Sequence, residues 1–132
     1  MGQADSLMQN NDGLPSEVSN QTVWDRAGAL QRLMNRESIL TRVVELFIST
    51  SGETLQALQD ALAAQDISSI QAQAHTLKGV AGNIGGMQLM ALSALLEQAA
   101  REQDNSRLQS LSQHLTPCYN TLMECLQENQ PV

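Results

Sequence analysis

The chain has 132 residues, of which 42% are hydrophobic and 2% aromatic, and it carries a net charge of -7. This composition predicts one domain with a core of Leu, Ile, Val, Ala and Met, as in many helical bundles, and the acidic charge argues against binding to nucleic acid or to an anionic membrane surface. No apolar run approaches the roughly 20 residues needed to cross a bilayer, and no signal peptide opens the chain, so a soluble cytoplasmic protein is expected.

The N-terminal part of the chain differs in character from the rest. Residues 1–21 are polar and aperiodic and contain Gly, Pro and Asn, which predicts a flexible tail or interdomain linker before a domain over 22–132. A short helix is predicted over 22–34, lying as a lid across the bundle. Its inward positions are expected to be Val23, Ala27, Leu30 and Leu33 or Met34.

A long second helix is predicted to begin after Asn35, which would serve as its N-cap, and to end near Gln65. Residues 49–52 are its weak point, because they combine Ser, Thr and Gly. We expect the helix to stay continuous there, with a bend as the open alternative. The residues expected to face inward are Ile39, Leu40, Val43, Phe47, Leu55, Leu58 and Leu62.

The third helix is predicted to be capped by Asp66 and to end near Asn83 or Ile84, where Gly85 and Gly86 supply a stop. Its apolar residues recur at alternating spacings of three and four, which predicts one buried stripe. The stripe consists of Ile67, Ile70, Ala74, Leu77, Ala81 and Ile84.

The fourth helix is predicted over 87–103. Its inward residues are expected to be Leu89, Leu92, Leu96 and Ala99. Asp104 or Asn105 would then cap a fifth helix reaching Gln127. Pro117 is expected to kink this last helix, because proline removes the backbone donor of one hydrogen bond.

The two cysteines and the helix count complete the structural prediction. Cys118 and Cys125 lie seven residues apart in one helix, about 10 Å along its axis, which is too far for a disulfide. Their heptad spacing with leucines predicts buried thiols rather than metal or redox chemistry. Five helices with short connections predict an all-α fold: an antiparallel up-down four-helix bundle with a short extra N-terminal helix.

The stretch 74–86, AHTLKGVAGNIGG, is the candidate functional segment. At about 100° per residue, His75 falls roughly 130° from the centre of the apolar stripe, which predicts an exposed imidazole. Lys78, Gly79 and Gly82 follow at offsets of three, four and seven and therefore lie on the same side of the helix. Each glycine in a helix interior costs roughly 0.5–1 kcal/mol relative to alanine. A partner protein that must come close to His75 would explain them.

The charge around His75 favours the same interpretation. From residue 67 to residue 96 there is no Asp or Glu, and the single lysine of that stretch is Lys78. A phosphoryl group on His75 would find a cation one turn away and no acidic sequence neighbour. The plainer alternatives are a surface histidine, a solubilising lysine and glycines that permit helix packing. His114 has no comparable neighbours and is expected to be a surface or boundary residue.

Other chemistries lack a pattern in this sequence. Two distant histidines and two heptad-spaced cysteines do not make a zinc site, and there is neither a nucleophile elbow nor a phosphate-binding GxxxxGK[ST]. A chain of 132 residues that is helical throughout has no room for the nucleotide-binding domain of a kinase. We therefore expect no cofactor in the chain and no autophosphorylation.

A family resemblance rests on the residues from His75 to Gly79, followed by Ala81, Gly82, Asn83, Ile84 and Gly85. These residues closely resemble the signature of histidine-phosphotransfer (HPt) domains of bacterial two-component phosphorelays. The resemblance extends over about residues 23–127, through TVWD, ALQRL and VVELF to LLEQAAR. It implies that His75 is the phosphoacceptor, that Lys78 assists electrostatically, and that Gly79 and Gly82 leave room for a receiver domain.

The resemblance also implies a function and partners. His75 would accept a phosphoryl group from one receiver aspartate and pass it to another, with Mg²⁺ bound by the receiver. The partners would be response-regulator receiver domains, with no nucleic acid and no direct membrane contact, and the domain alone would be a monomer. Because the N-terminal tail resembles a linker, we expect the C-terminal domain of a hybrid sensor kinase that tethers it to the inner membrane, with a free-standing protein as the open alternative. Two alternatives remain: a helical interaction module without covalent chemistry, and the phosphorylatable domain of a chemotaxis-type kinase.

Overall fold

The computed structural model describes residues 13–128, and every regular element in that range is a helix. In chain order they are α1 (Ser16–Ser19), α2 (Arg26–Arg32), α3 (Glu37–Ala64), α4 (Ile67–Ile84), α5 (Met87–Arg101), α6 (Asn105–Ser112) and α7 (Leu115–Glu128). Helices α3, α4, α5 and the α6–α7 pair pack around an aliphatic core. The predicted all-α bundle is confirmed, and the short connections make successive long helices antiparallel.

The segment before α2 is part of the fold. Residues 16–19 form α1, and Val18 is fully buried against the bundle. The tail predicted to end at residue 21 is therefore wrong for residues 13–21, because one well-packed valine anchors an otherwise polar stretch. The same prediction for residues 1–12 lies outside the described part of the chain.

Helix α2 is shorter than predicted because two residues set its limits. Asp25 is its N-cap and accepts a hydrogen bond from the Gly28 amide at 3.0 Å, so the helix begins at residue 26. This start buries Ala29 and leaves Ala27 exposed, opposite to the prediction for Ala27. Asn35 has φ of 62° and donates its amide to the Leu30 carbonyl, so it terminates α2. Arg36, and not Asn35 as predicted, is the N-cap of α3.

The extended segment 21–25 fastens the N-terminal region onto the loop between α4 and α5. The Trp24 indole donates to the Ile84 carbonyl at 2.8 Å, and the Asp25 amide donates to the Gly85 carbonyl at 2.7 Å. Gly85 has φ of 83°, and a side chain there would collide with the Asp25 carbonyl. Glycine is therefore required at this C-cap both by conformation and by space. The end of α4 is fixed in consequence.

Helices α3 and α4 follow the prediction closely. α3 is continuous through residues 49–52, where the buried Ser51 hydroxyl bonds the Tyr119 hydroxyl at 2.8 Å. The inward orientation predicted for Ile39 is wrong: it lies about 100° around the helix from Leu40, which is buried. In α4 the predicted stripe is buried except for Ile67, which is half-buried in the first turn. The cap by Asp66 and the stop at Gly85 are confirmed.

The predicted fifth helix is two helices. α6 ends at Ser112, and α7 begins at Leu115. Pro117 is the third residue of α7, where a backbone amide has no partner within the helix, so proline costs no hydrogen bond there. The predicted kink at Pro117 is therefore a break upstream of it, and α5 likewise ends at Arg101 rather than at residue 103.

The two cysteines lie within α7. Cys118 is buried, and burial raises the pKa of its thiol to about 11. The Cys118 thiol therefore stays protonated at neutral pH, as expected for a core residue. Cys125 is half-buried.

Ser93 is a weak point in the core and supports a stability prediction. It lies fully buried in α5, and its hydroxyl has no hydrogen-bond partner. Since an unsatisfied buried polar group costs about 1–3 kcal/mol, Ser93→Ala should raise the free energy of unfolding by about 1 kcal/mol. Urea denaturation checks this, with Ser106→Ala on the exposed surface of α6 as the control. A loss of stability in Ser93→Ala would mean that the hydroxyl is satisfied in solution.

Candidate functional site

His75 stands on the outer face of α4, where the sequence predicts it. The buried stripe holds the opposite side of the helix against the core, and the His75 side chain is 67% exposed. Because Asp66 and Gly85 fix the two ends of α4, the imidazole projects from a rigid element in the middle of that helix.

Glu97 of α5 is the residue that the sequence prediction missed. One carboxylate oxygen, Oε2, lies 2.9 Å from His75 Nδ1, and the other, Oε1, lies 2.6 Å from Lys78 Nζ. Arg101 Nη2 approaches Oε2 at 3.3 Å. The neighbourhood of His75 is thus free of acids along the sequence but not in space. The expectation of no acidic sequence neighbour therefore holds, and Glu97 is an acidic neighbour that only the packing of α5 against α4 brings close.

The sequence contains a signal for Glu97, although a weak one. It is the single acidic residue between Asp66 and Glu102, in a helix whose other residues are mostly apolar or small. The Glu97 side chain is only 8% exposed, and a nearly buried carboxylate needs charged partners. An isolated acid beside a buried stripe therefore indicates a cation on the adjacent helix. Which cation it meets depends on how α4 and α5 are aligned.

The charge state of Glu97 decides the tautomer of His75. Burial raises the pKa of Glu97, but hydrogen bonds from Lys78 and His75 lower it by more, so the net pKa lies below its ordinary value. Glu97 is consequently ionised at neutral pH and can only accept hydrogen bonds. The His75 nitrogen that faces Glu97, Nδ1, must then carry a proton, and in the neutral imidazole this leaves the lone pair on Nε2.

Lys78 lies on the same side of α4 as His75, as predicted, and its ammonium group is bound to Glu97. Its side chain is 35% exposed, so the flexible stem has room to move outward. The site therefore holds two cationic side chains, Lys78 and Arg101, against the single carboxylate that also contacts His75.

The two predicted docking glycines have different surroundings. A Cβ placed on Gly79 would meet nothing within 4 Å, so this position is open. A Cβ placed on Gly82 would lie 2.9 Å from the sulfur of Met90, and the Gly82 carbonyl accepts a hydrogen bond from Arg32 at 3.0 Å. The prediction of an open face therefore holds at Gly79, whereas Gly82 is covered on one side.

Two grooves lie along α4, and His75 lines one of them. An open groove between α4 and α5 is lined by Ser68, Gln71, Ala72, His75, Thr76 and Glu97. A smaller cleft of about 130 Å³ lies between α3 and α4, next to the exposed side chain of Leu46.

Within residues 13–128 no cluster of three or more His, Cys, Asp or Glu side chains could hold a metal ion. No helix in that range is long and apolar enough to cross a membrane.

A comparison with protein families agrees with this geometry. The Hpt domain family matches residues 42–128, which include α4, α5 and almost all of α3. The chain belongs to the Hpt domain family. Neither a curated protein nor a solved structure matches it. Hpt domains are phosphocarriers of two-component phosphorelays that interact with the receiver domains of response regulators and have no ATP site of their own.

Proposed function

We propose that His75 accepts a phosphoryl group from the aspartyl phosphate of one receiver domain and passes it to the aspartate of another. The observation that carries this proposal is the bond between His75 Nδ1 and the nearly buried Glu97, which leaves Nε2 free on the exposed side of the ring. Membership of the Hpt family supports a role in phosphotransfer, and the local geometry supports His75 Nε2 as the reacting atom.

The chemistry follows from the two ring nitrogens. The Nε2 lone pair attacks phosphorus, the bond from phosphorus to the aspartate oxygen breaks, and the aspartate leaves as a carboxylate. The imidazole gains a positive charge while its proton stays on Nδ1. Glu97 stabilises that charge as it develops, because it already accepts the Nδ1–H bond. In the reverse direction the same positive ring is a good leaving group.

The remaining roles are assigned around this step. Lys78 neutralises part of the charge on the phosphoryl oxygens, and Gly79 leaves room for the receiver, with Gly82 at the edge of the same surface. Mg²⁺ is assigned to the receiver, whose carboxylates suit that ion. A monomeric state, a cytoplasmic location and a place within a hybrid sensor kinase stay predictions.

Incubation with a phosphorylated receiver domain tests the proposal. Phosphate should appear on the chain in an acid-labile, base-stable form, which distinguishes phosphohistidine from phosphoserine and from aspartyl phosphate. Adding a second, unphosphorylated receiver should then discharge it. Tight binding of receivers with no phosphate on the chain would favour the non-covalent interaction module instead.

Glu97→Gln tests whether the carboxylate activates His75. The amide is similar in size but carries no charge, and charge-assisted hydrogen bonds are roughly twice as strong as neutral ones, so phosphoryl acceptance should slow about tenfold. Acceptance rates from phosphoramidate, a small phosphodonor, measure this, and ¹⁵N NMR reports the tautomer of His75. Glu102→Gln, an exposed acid just beyond α5, is the control. An unchanged rate with an unchanged tautomer would restrict Glu97 to a structural role.

A further inference from the structure

Glu97 is bound by more cations than the phosphotransfer step requires. Lys78 occupies Oε1, while His75 and Arg101 share Oε2. Arg101 lies one turn after Glu97 in α5, its side chain is 52% exposed, and its second nitrogen bonds Gln98. Arg101 lies outside the sequence segment around His75, so that segment does not predict its contact with Glu97. The proposed function gives Arg101 no role.

Phosphorylation of His75 would change the competition for Lys78. A phosphoryl group brings roughly 1.5–2 negative charges and three acceptor oxygens, and Lys78 is one helical turn from His75. An ammonium group is more strongly attracted to the phosphoryl group than to a single carboxylate. The Lys78 side chain is 35% exposed, so its stem has room to move the ammonium group from Glu97 toward the phosphoryl group.

If Lys78 moves to the phosphoryl group, Glu97 loses one of its cationic partners. The phosphorylated imidazole still donates to Glu97, but the departure of Lys78 takes a hydrogen-bonded ammonium group from a nearly buried carboxylate, and breaking a buried ion pair is destabilising. Arg101 is already within reach of the same carboxylate at 3.3 Å. Arg101 therefore keeps a full positive charge beside Glu97 when Lys78 moves away.

We propose that Lys78 moves from Glu97 to the phosphoryl group when His75 is phosphorylated, and that Arg101 permits this exchange by keeping Glu97 paired. The inference rests on the proposed function, since it requires phosphate on His75. Arg101 is accordingly a positioning residue: it touches neither the phosphoryl group nor the imidazole, and it acts through Glu97 on Lys78.

Chemical phosphorylation of the full chain tests the exchange without a receiver. In phosphoramidate the Nε2 lone pair attacks phosphorus, the phosphorus–nitrogen bond breaks, and ammonia leaves after taking up a proton. ³¹P NMR follows the phosphohistidine, and ¹⁵N NMR follows the Lys78 ammonium. The variants are Arg101→Gln, Arg101→Lys and, as a charge-matched control on exposed α6, Arg107→Gln.

We expect the Lys78 resonance to shift on phosphorylation in the wild type, in Arg101→Lys and in Arg107→Gln. In Arg101→Gln the shift should be lost and acceptance should slow roughly three- to fivefold, as for the loss of one partly exposed ion pair. A wild-type shift and rate in Arg101→Gln, or a wild-type Lys78 that stays on Glu97, would overturn the exchange while leaving the proposed function standing. No phosphohistidine in any variant would overturn both.

Discussion

Replacing His75 with Gln is expected to abolish phosphoryl acceptance and leave helicity and melting temperature unchanged. Glutamine has no nucleophilic ring nitrogen, so the step at Nε2 is lost entirely. The fold should tolerate the change, because the His75 side chain is 67% exposed and surface substitutions usually alter stability by less than about 0.5 kcal/mol. The glutamine amide is still a donor, so Glu97 need not lose its third partner.

The chain offers a matched control, since His114 is the second of its two histidines. It is half-buried between α6 and α7, and no hydrogen bond from its ring to another described residue is present. His114→Gln should accept phosphate at the wild-type rate. Acid-labile phosphate on His75→Gln at the wild-type level, together with its loss from His114→Gln, would transfer the acceptor role to His114. Circular dichroism and thermal melting of both variants separate chemistry from folding.

The stripe of α4 illustrates what periodicity predicts well. Alternating apolar spacings, an N-cap aspartate and a terminal glycine are local signals, and they located both the buried face and the exposed position of His75. The structure bears out these features because α4 packs against both α3 and α5. The break between α6 and α7 was misplaced, since Pro117 is acceptable in a first turn and marks a helix start as well as a kink.

Glu97 shows where prediction from the sequence stops. Residues 75 and 97 are 22 positions apart, and their contact depends on the axial alignment of α4 and α5. The turn at Gly85–Gly86 could be predicted from local signals, but the alignment also depends on how the side chains of α4 and α5 pack against each other, which no pattern within one helix encodes. The same limitation applies to Gly82: the helical angle placed it beside His75 correctly, but Met90 of the neighbouring helix covers it.

Gly79→Gln should keep or raise the melting temperature and lose most of the transfer from a receiver. A side chain at Gly79 meets no neighbour within 4 Å, and glutamine favours a helix over glycine by roughly 0.5–1 kcal/mol. The added side chain stands about 6 Å along the axis from His75, in the path of a docking protein. A displacement of about 1 Å between reacting groups can cost on the order of a hundredfold in rate, so a loss of that size is expected.

The choice of phosphodonor identifies the cause of that loss. Phosphoramidate is small enough to reach Nε2 beside a glutamine, so Gly79→Gln should accept phosphate from it at nearly the wild-type rate while failing with a receiver. Gly79→Ala is the matched control and should retain transfer from both donors. Gly82 is less suitable for this test, because any substitution there also displaces Met90. Equal loss with both donors would mean damage to His75 itself, whereas full transfer from the receiver would place the docking surface away from Gly79.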